Sequence, residues 1–244
     1  LNVVHETGTA SRVTRKREAK QAQILEIAER LIAEEGIEAF SLHAGARELD
    51  VVTGTLYRYF PNKDALVAAL HRRAIADLHE RFGAHAARLH TALEGVELCP
   101  EERVLTQLCA ASRFYLELPE LLPNRFRFVW LMLGDPRSLI RPEDVPKSAV
   151  PLLAFLGDVR ALFERAAKLG ALSDGNALDR TLVFWSAQQG VVQLQKLQRY
   201  EAKLFDYRRL GAQLARPLLV GWGASPAALE RAEQVLDRIN LTSS

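Results

Sequence analysis

The chain has 244 residues, a formal net charge of +2 and 48% hydrophobic residues, the composition of an ordinary globular protein. No stretch approaches the roughly 18 consecutive apolar residues of a membrane span. The polar, basic N-terminus lacks the apolar segment of a secretion signal. The only two cysteines, Cys99 and Cys109, are too few for a disulfide framework. We therefore expect a cytoplasmic protein without membrane contact.

The first twenty residues carry a local excess of positive charge. We expect residues 1–20 to form a flexible basic arm, and between Arg12 and Lys20 only Glu18 opposes the basic side chains. Such arms bind nucleic acid in some proteins and are plain solvated tails in others. The basic residues are Arg12, Arg15, Lys16, Arg17 and Lys20.

An amphipathic helix follows the arm, because its apolar residues recur with the i, i+3, i+4, i+7 spacing of one helix face. Gly36 can adopt the left-handed conformation that ends such a helix. The apolar positions are Ile24, Ile27, Ala28 and Leu31.

Two short helices and a longer one come next. Ser41 is a suitable N-cap for a helix that runs to about Leu49. After a tight turn, another helix starts near Thr53 and ends before Pro61, which disfavours helical geometry in the residue that precedes it. Asn62 can then cap a fourth helix with its own apolar stripe. Two short helices around a tight turn predict a helix-turn-helix.

The second short helix divides into a core face and an exposed face. Leu56 and Phe60 are four residues apart and should pack on the preceding helices, whereas Tyr57 is rotated about 100° away from Leu56. Hydroxyl groups on an exposed helix suit phosphate and base-edge contacts. Gly54 would let nucleic acid approach closely, and Lys63 adds positive charge beside a helix N-terminus. Alternatively, these aromatic residues only fill the core of a small domain, but the combination favours a DNA contact.

The segment from Gly36 to Leu66 resembles the DNA-binding domain of the TetR (tetracycline-repressor-like) family of bacterial transcriptional regulators. The resemblance implies an N-terminal three-helix DNA-binding domain, here residues 21–68, and a larger helical ligand-binding and dimerisation domain, here residues 69–244. It also implies a homodimer that binds a palindromic operator and responds to a small molecule. The matching residues are Gly36, Phe40, Ser41, Ala46, Val51, Gly54-Thr55-Leu56-Tyr57-Arg58-Tyr59-Phe60 and Asn62-Lys63-Asp64-Ala65-Leu66.

The predicted DNA contacts combine the basic arm with the helix-turn-helix. Tyr59 is the ambiguous member, because it lies between the exposed and the buried faces. The predicted contacts are Arg15, Lys16, Arg17, Ser41, His43, Thr53, Gly54, Thr55, Tyr57, Arg58, Tyr59 and Lys63.

Three positions depart from the usual pattern of the family. Gly45 stands where a bulky aliphatic residue is usual, and glycine inside a helix costs roughly 0.5–1 kcal/mol relative to alanine. Asp50 replaces the glycine of the turn but tolerates left-handed geometry. Val52 replaces a serine and offers no capping oxygen. These departures leave one alternative open: a helical ligand- or partner-binding protein whose DNA-reading head is no longer functional.

The rest of the chain also predicts helices, and no sustained alternation suggests a strand, so the expected class is all-α. The three prolines between Asp135 and Pro146 predict a loop. The further helices are expected at about 102–117, 124–133, 148–169, 176–198, 206–220 and 226–240.

An apolar cluster predicts where the effector binds. The stretch from Phe126 to Leu133 is apolar almost all round a helix, which indicates burial on most sides. Pockets are mainly apolar with a few well-placed polar groups, and glutamines occur near Trp185. We therefore expect a mainly apolar effector, although plain core packing would give the same pattern. The predicted ligand-binding residues are Phe126, Trp130, Met132, Trp185, Gln188 and Gln189.

Two long apolar helices late in the chain are expected to pair with their copies in a second subunit. The alternative is packing within one chain. The predicted dimer residues are Val183, Gly190, Leu194, Leu210 and Leu214.

Enzyme motifs are absent from the sequence. It contains no P-loop, no G-x-S-x-G, no H-E-x-x-H and no glycine-rich dinucleotide turn. The six histidines are scattered. We therefore expect no catalytic residues, no metal site and no cofactor.

Overall fold

The computed structural model describes the backbone of residues 6–134 and 141–239. Within these ranges the chain is all-α, as the sequence predicts, with eleven α-helices, two 3₁₀ turns and no strand. The 3₁₀ turns are Pro142–Asp144 and Gln193–Leu197. The α-helices are α1 (Glu6–Glu35), α2 (Leu42–Glu48), α3 (Thr53–Tyr57), α4 (Lys63–Ala92), α5 (Pro100–Leu121), α6 (Pro123–Gly134), α7 (Val145–Lys168), α8 (Ala177–Val192), α9 (Tyr207–Ala212), α10 (Ala215–Gly221) and α11 (Pro226–Arg238).

The chain divides into two compact units. One unit combines Leu1–Ile75 with Leu122–Val150, and the other combines Ala76–Leu121 with Pro151–Ser244. The sequence prediction placed residues 122–150 in the larger domain, whereas here α6 groups with the helix-turn-helix because it packs against α1.

The core of the first unit is built from the apolar stripes that the sequence predicts. Helix α1 contacts α2 and α6, and α2 contacts α3. The predicted stripe of α1 is buried at three of its four positions, and Ile27 is half-buried. The residues that form the shared core include Ile24, Ala28, Leu31, Phe40, Ala46, Leu56, Phe60, Leu66 and Leu70.

The core of the second unit is aromatic. Phe82 contacts Phe114 and Phe155, with ring centroids 5.6 and 5.4 Å apart. Phe163 makes edge-on contacts with Phe184 and Trp222 at 5.5 and 5.4 Å, a geometry that aromatic rings favour. Helix α5 lies among α8, α9 and α11 and contacts all three.

The N-terminal arm differs from the prediction, because the chain is helical from Glu6 onward. The segment 9–35 contains no glycine or proline, and it is rich in alanine, lysine, arginine, glutamate and glutamine, all strong helix formers. The charge excess that suggested a flexible arm is therefore compatible with an extension of α1.

The single helix expected at 206–220 is wrong, since the chain turns at Gln213 and Leu214 between α9 and α10. Pro217 has no N–H group to donate to the carbonyl of Gln213, so a continuous helix would lack that hydrogen bond. Helix 176–198 also changes character, because the α-helix ends at Val192 and a 3₁₀ turn continues to Leu197.

The loop expected between Asp135 and Pro146 is shorter at its C-terminal end. Pro142–Asp144 forms a 3₁₀ turn and Pro146 is already the second residue of α7, a position that tolerates proline. Residues 135–140 lie outside the described residues.

Candidate nucleic-acid interface and effector pocket

Helix α2 is fixed at both ends by local hydrogen bonds. The Ser41 Oγ accepts a hydrogen bond from the Ala44 N–H at 3.1 Å, which confirms the predicted N-cap. Asp50 adopts a φ of 51°, the left-handed geometry predicted for the turn. The backbone N–H of Val51 donates to the Ala46 carbonyl at 3.0 Å and closes this turn.

Gly45 has a packing reason that the sequence alone does not reveal. A Cβ atom at this position would lie 3.3 Å from the Leu56 Cδ2 and 3.5 Å from the Phe40 ring. The absence of a side chain therefore lets α2 and α3 approach closely. This contact offsets part of the helix-propensity cost of glycine.

Helix α3 divides its residues as predicted. Leu56 is 0% exposed and Phe60 is 3% exposed, so both belong to the core, whereas Tyr57 is 48% exposed. Because Leu56 and Phe60 anchor α3, the side of the helix that carries Tyr57 remains available to a partner.

Most of the predicted contact residues around α3 are accessible. Gly54 and Arg58 are exposed, and Thr53 and Thr55 are half-buried. A Cβ at Gly54 would meet no atom within 4 Å. The ambiguous Tyr59 is half-buried. The first turn of α3 thus offers hydroxyl groups beside an open stretch of backbone.

Two features of this surface escaped the sequence analysis. The His43 Nδ1 lies 3.1 Å from the Thr53 Oγ1, so the first residues of α2 and α3 are in hydrogen-bonding contact. Val52 is 77% exposed at the start of α3, where it makes no capping hydrogen bond. An exposed valine before a recognition helix suits an apolar contact with a thymine methyl group. The only sequence signal was a valine at a position where a capping residue is expected.

Lys63 begins α4, directly after its N-cap. The Asn62 Oδ1 accepts a hydrogen bond from the Ala65 N–H at 2.9 Å, so the predicted cap is confirmed. The Lys63 Nζ donates to the Glu38 carbonyl at 3.3 Å. This contact leaves the full positive charge of the ammonium in place near the helix N-terminus.

The basic residues of the predicted arm lie on α1. Arg15, Lys16 and Arg17 are exposed. Since successive helical residues are rotated by about 100°, these three side chains leave the helix in different directions. Arg12, exposed like them, and Lys16 are four residues apart and share one face.

Helix α6, which carries three of the predicted ligand-binding residues, contacts α1 within the first unit. The Arg125 Nε donates to both Glu29 carboxylate oxygens, at 3.1 and 3.3 Å. Phe126 is 8% exposed. The side chains of Trp130 and Met132 lie outside the described residues.

The other predicted ligand-binding residues lie in the second unit, where Trp185 and Gln189 form a polar network with the buried Tyr115. The Trp185 Nε1 donates to the Tyr115 hydroxyl at 3.1 Å, and that hydroxyl donates to the Gln189 Oε1. The Gln188 Nε2 donates to the Phe184 carbonyl at 3.3 Å. Burial raises the pKa of Tyr115, more than the Trp185 hydrogen bond lowers it. The hydroxyl is therefore neutral at physiological pH.

This network borders a cavity of only about 20 Å³. A water molecule needs about 10–15 Å³ by this kind of measure, so a larger ligand here would require side chains to move. Gln188 and Gln189 are nevertheless unusual, because the Gln188 Oε1 and the Gln189 Nε2 are buried without a hydrogen-bond partner among the described residues.

A larger cavity of about 610 Å³ lies between α5 and the C-terminal helices of the second unit. Its arginines are already paired with carboxylates: Arg113 with Asp237 at 2.7 Å, and Arg216 with Glu233 at 2.6 Å. The third arginine, Arg208, pairs with Glu120. The positive charge around this cavity is therefore largely neutralised.

The predicted dimer residues differ in their exposure. Val183 is 49% exposed, and a Cβ at Gly190 would meet no atom within 4 Å. Exposed Ser186 lies between them on the same face of α8. Leu194, Leu210 and Leu214 are half-buried.

The described residues contain no group of three or more histidine, cysteine, aspartate or glutamate side chains that could hold a metal ion. Among the helices of this described part, none combines the length and the apolar character needed to cross a membrane.

The comparisons with known proteins agree with this geometry. Residues 24–70 match the family model described as bacterial regulatory proteins, tetR family. This segment contains α2, α3 and the whole predicted hydrophobic stripe of α1, so the helix-turn-helix of this chain matches the tetR family of bacterial regulatory proteins. No curated protein sequence matches it.

Solved structures share the fold across most of the chain. A tetR-family regulatory protein from Rhodococcus RHA1 is 17% identical, with a TM-score of 0.59 over 84% of this chain and 97% of its own. FadR from Bacillus subtilis, solved with stearoyl-CoA, is 18% identical, with a TM-score of 0.62 over 82% and 98%. AibR, solved with isovaleryl coenzyme A and operator DNA, is 17% identical, with a TM-score of 0.54 over 71% and 85%.

Proposed function

We propose that the chain is a ligand-responsive repressor, which binds a palindromic operator as a homodimer and is released by a small, mainly apolar molecule. The observation that carries this proposal is the exposed first turn of α3, held by a buried Leu56 within a segment that matches the TetR family. The AibR structure with operator DNA supports DNA binding by this fold.

The proposed DNA contacts are of two kinds. Thr53, with Val52 beside it, lies at the N-terminal end of α3, from which recognition helices reach base edges in the major groove. Tyr57, Arg58 and Lys63 are proposed to contact phosphates and to position the head without reading sequence. The exposed basic residues of α1 add further phosphate contacts.

The exposed face of α8 supports the proposed homodimer. Val183, Ser186 and Gly190 follow a spacing of three and four residues, which places them on one side of the helix. Because serine and glycine are small, a second helix could approach closely. Dimerisation would set two copies of α3 against the two halves of a symmetric operator.

The effector is proposed to bind in the second unit, beside Gln188 and the network of Tyr115, Trp185 and Gln189. The surrounding side chains are mainly apolar, as in most ligand pockets. Known complexes of similar structures contain stearoyl-CoA and isovaleryl coenzyme A. In this chain, the arginines around the cavity of about 610 Å³ already face carboxylates, which favours a ligand without phosphate groups.

The test is to capture genomic DNA fragments with the purified protein at a stated salt concentration, followed by footprinting of the enriched fragments. The expected result is one protected palindrome and two protomers per site. The matched control is a protein with Thr53→Ala, Thr55→Ala and Arg58→Ala, which should enrich no fragment. Equal enrichment by both proteins would refute the proposed reading surface. Enrichment of no specific fragment by the wild-type protein would favour the alternative, a helical protein whose head does not read DNA.

A further inference from the structure

The cavity of about 610 Å³ in the second unit has the size of a typical ligand pocket, and it contains none of the predicted site residues. One wall is a face of α5, and the other walls are parts of α9, α10 and α11. Gln213 and Ala215, on either side of Leu214 in the turn between α9 and α10, both border it. The cavity therefore lies at the break that divides these two short helices.

The arginines that border the cavity are already bound to carboxylates, and each ion pair joins two helices. These pairs connect α5 with α11, α9 with α5, and α10 with α11. They are Arg113 with Asp237, Arg208 with Glu120, and Arg216 with Glu233. An anionic ligand would have to take an arginine away from its partner, so the cavity does not favour anions.

Glu117 is the exception among these charged side chains. Three carboxylates border the cavity among the described residues, and Asp237 and Glu233 belong to the ion pairs. Within the same described part of the chain, the Glu117 carboxylate has neither an ion pair nor a hydrogen bond. The three ion pairs are each neutral overall, so Glu117 leaves one uncompensated negative charge at the cavity.

The helical spacing of α5 turns Glu117 towards the cavity. The α5 residues that border it recur at intervals of three and four, which places them on one face of the helix. They are Cys109, Ser112, Arg113, Leu116 and Glu117. Glu120, which binds Arg208 of α9, continues the same face three residues later. Glu117 thus lies between two residues whose side chains reach across to the opposite walls.

Partial burial makes the isolated charge of Glu117 costly. The side chain is half-buried, and burial raises the pKa of Glu117 more than the positive charges of Arg208, Arg113 and Arg88 lower it. A carboxylate that has lost part of its hydration is stabilised by an opposite charge at close range. A bound cation would therefore recover the desolvation cost and favour the ionised form of Glu117.

We propose that this cavity is a second ligand site, which binds an organic cation with an amidine or guanidine group on a mainly apolar body. The N–H groups of the cation donate to the Glu117 carboxylate, since a planar amidinium presents two parallel donors that match two carboxylate oxygens. Ala212, Ala215 and Pro217 offer apolar contacts to the body of the ligand. The site is separate from the effector site proposed beside Trp185 and does not depend on DNA binding.

The test compares 2-naphthamidine, a cation at neutral pH, with 2-naphthamide, an uncharged molecule of nearly the same shape. Isothermal titration without DNA should show that 2-naphthamidine binds about tenfold more tightly, the lower end of the range for hydrogen bonds to a charged group, because Glu117 is half-buried. The net charge of the whole chain is +2, so the protein as a whole does not attract cations.

Glu117→Gln keeps the shape of the side chain and removes its charge. The preference for 2-naphthamidine should disappear in this variant, while the affinity for 2-naphthamide stays within about twofold. Glu117→Asp keeps the charge on a shorter side chain and should retain part of the preference. Glu230→Gln, an exposed position on α11 that does not border the cavity, is the matched control and should retain all of it.

A further measurement needs only the wild-type protein. Added salt should weaken the binding of 2-naphthamidine and leave that of 2-naphthamide unchanged, because salt screens the attraction between opposite charges. Circular dichroism establishes that each variant is folded. Equal affinities for the two probes, binding of neither, or a preference that persists in folded Glu117→Gln would overturn the proposal, as would a preference that Glu230→Gln also abolishes.

Discussion

The assignment of Leu56 to the core and Tyr57 to the DNA surface can be tested by two neighbouring substitutions. Leu56 is 0% exposed, and its Cδ2 lies 3.3 Å from the position that a Cβ of residue 45 would occupy. Leu56→Ala therefore opens a cavity beside a glycine, which has no side chain to fill it. Large-to-small core substitutions cost about 2–5 kcal/mol, and the poor ability of this site to collapse predicts the upper half of that range.

Tyr57→Phe should have the opposite profile. The side chain is 48% exposed, so the loss of its hydroxyl should leave the free energy of unfolding within about 0.5 kcal/mol of wild type. If the hydroxyl donates to a phosphate, DNA affinity should fall by about 0.5–1.5 kcal/mol for operator and non-operator DNA alike.

Urea unfolding followed by circular dichroism measures the first effect, and fluorescence anisotropy with both kinds of DNA measures the second. The decisive outcome is the reverse of these two expected effects. If Tyr57→Phe unfolds the protein while Leu56→Ala is tolerated, the two faces of α3 have been assigned the wrong way round.

Three further predictions concern charge. Lys16→Ala and Lys63→Ala should each reduce the slope of log DNA affinity against log salt concentration by about 0.9, because each removes one phosphate contact. If anisotropy titrations of either variant show an unchanged slope, the substituted lysine does not contact a phosphate. Val183→Asp should convert the proposed dimer to monomers, as measured by light scattering, whereas the control Glu230→Asp on α11 should remain dimeric. If the two variants have the same molecular mass, the proposed α8 interface is refuted. Burial lowers the pKa of His85 to about 4 in the folded protein. The free energy of unfolding should therefore fall as the pH drops from about 6.5 towards 4, because only the unfolded chain then binds a proton at His85. His85→Phe should weaken this pH dependence in urea titrations at several pH values.

Local signals in the sequence were sufficient to predict the helix-turn-helix. Ser41 and Asn62 are capping residues, and each accepts a hydrogen bond from the backbone N–H three positions later. Asp50 has a short polar side chain, which tolerates the left-handed backbone conformation of the turn. The burial of Leu56 and Phe60 follows from a spacing of four residues. Each of these features depends on neighbours along the chain, which the sequence displays directly.

Features that depend on distant residues were missed. The apolar character of α6 suggested a helix buried in the larger domain, but Arg125 pairs with Glu29, which is almost a hundred positions earlier. The contact between His43 and Thr53 arises only after the turn has folded. His85 looked like one of several scattered histidines, although it is 4% exposed, because its burial depends on a contact with Phe114 of another helix.

The position of α6 has a consequence for how the surface proposed to contact DNA is held. Arg125 and Glu29 are both mostly buried, with side-chain exposures of 21% and 13%, so their charge-assisted hydrogen bonds are less screened than those of a surface pair. Removal of either partner would leave the other charge poorly solvated, which makes a single substitution more costly than loss of the pair. Since α1 also contacts α2, a displacement of α6 would act through α1 on the helix that carries Gly45 and supports α3. The first unit thus couples α2 and α3 to α6 through the partly buried Arg125–Glu29 ion pair and a shared apolar core.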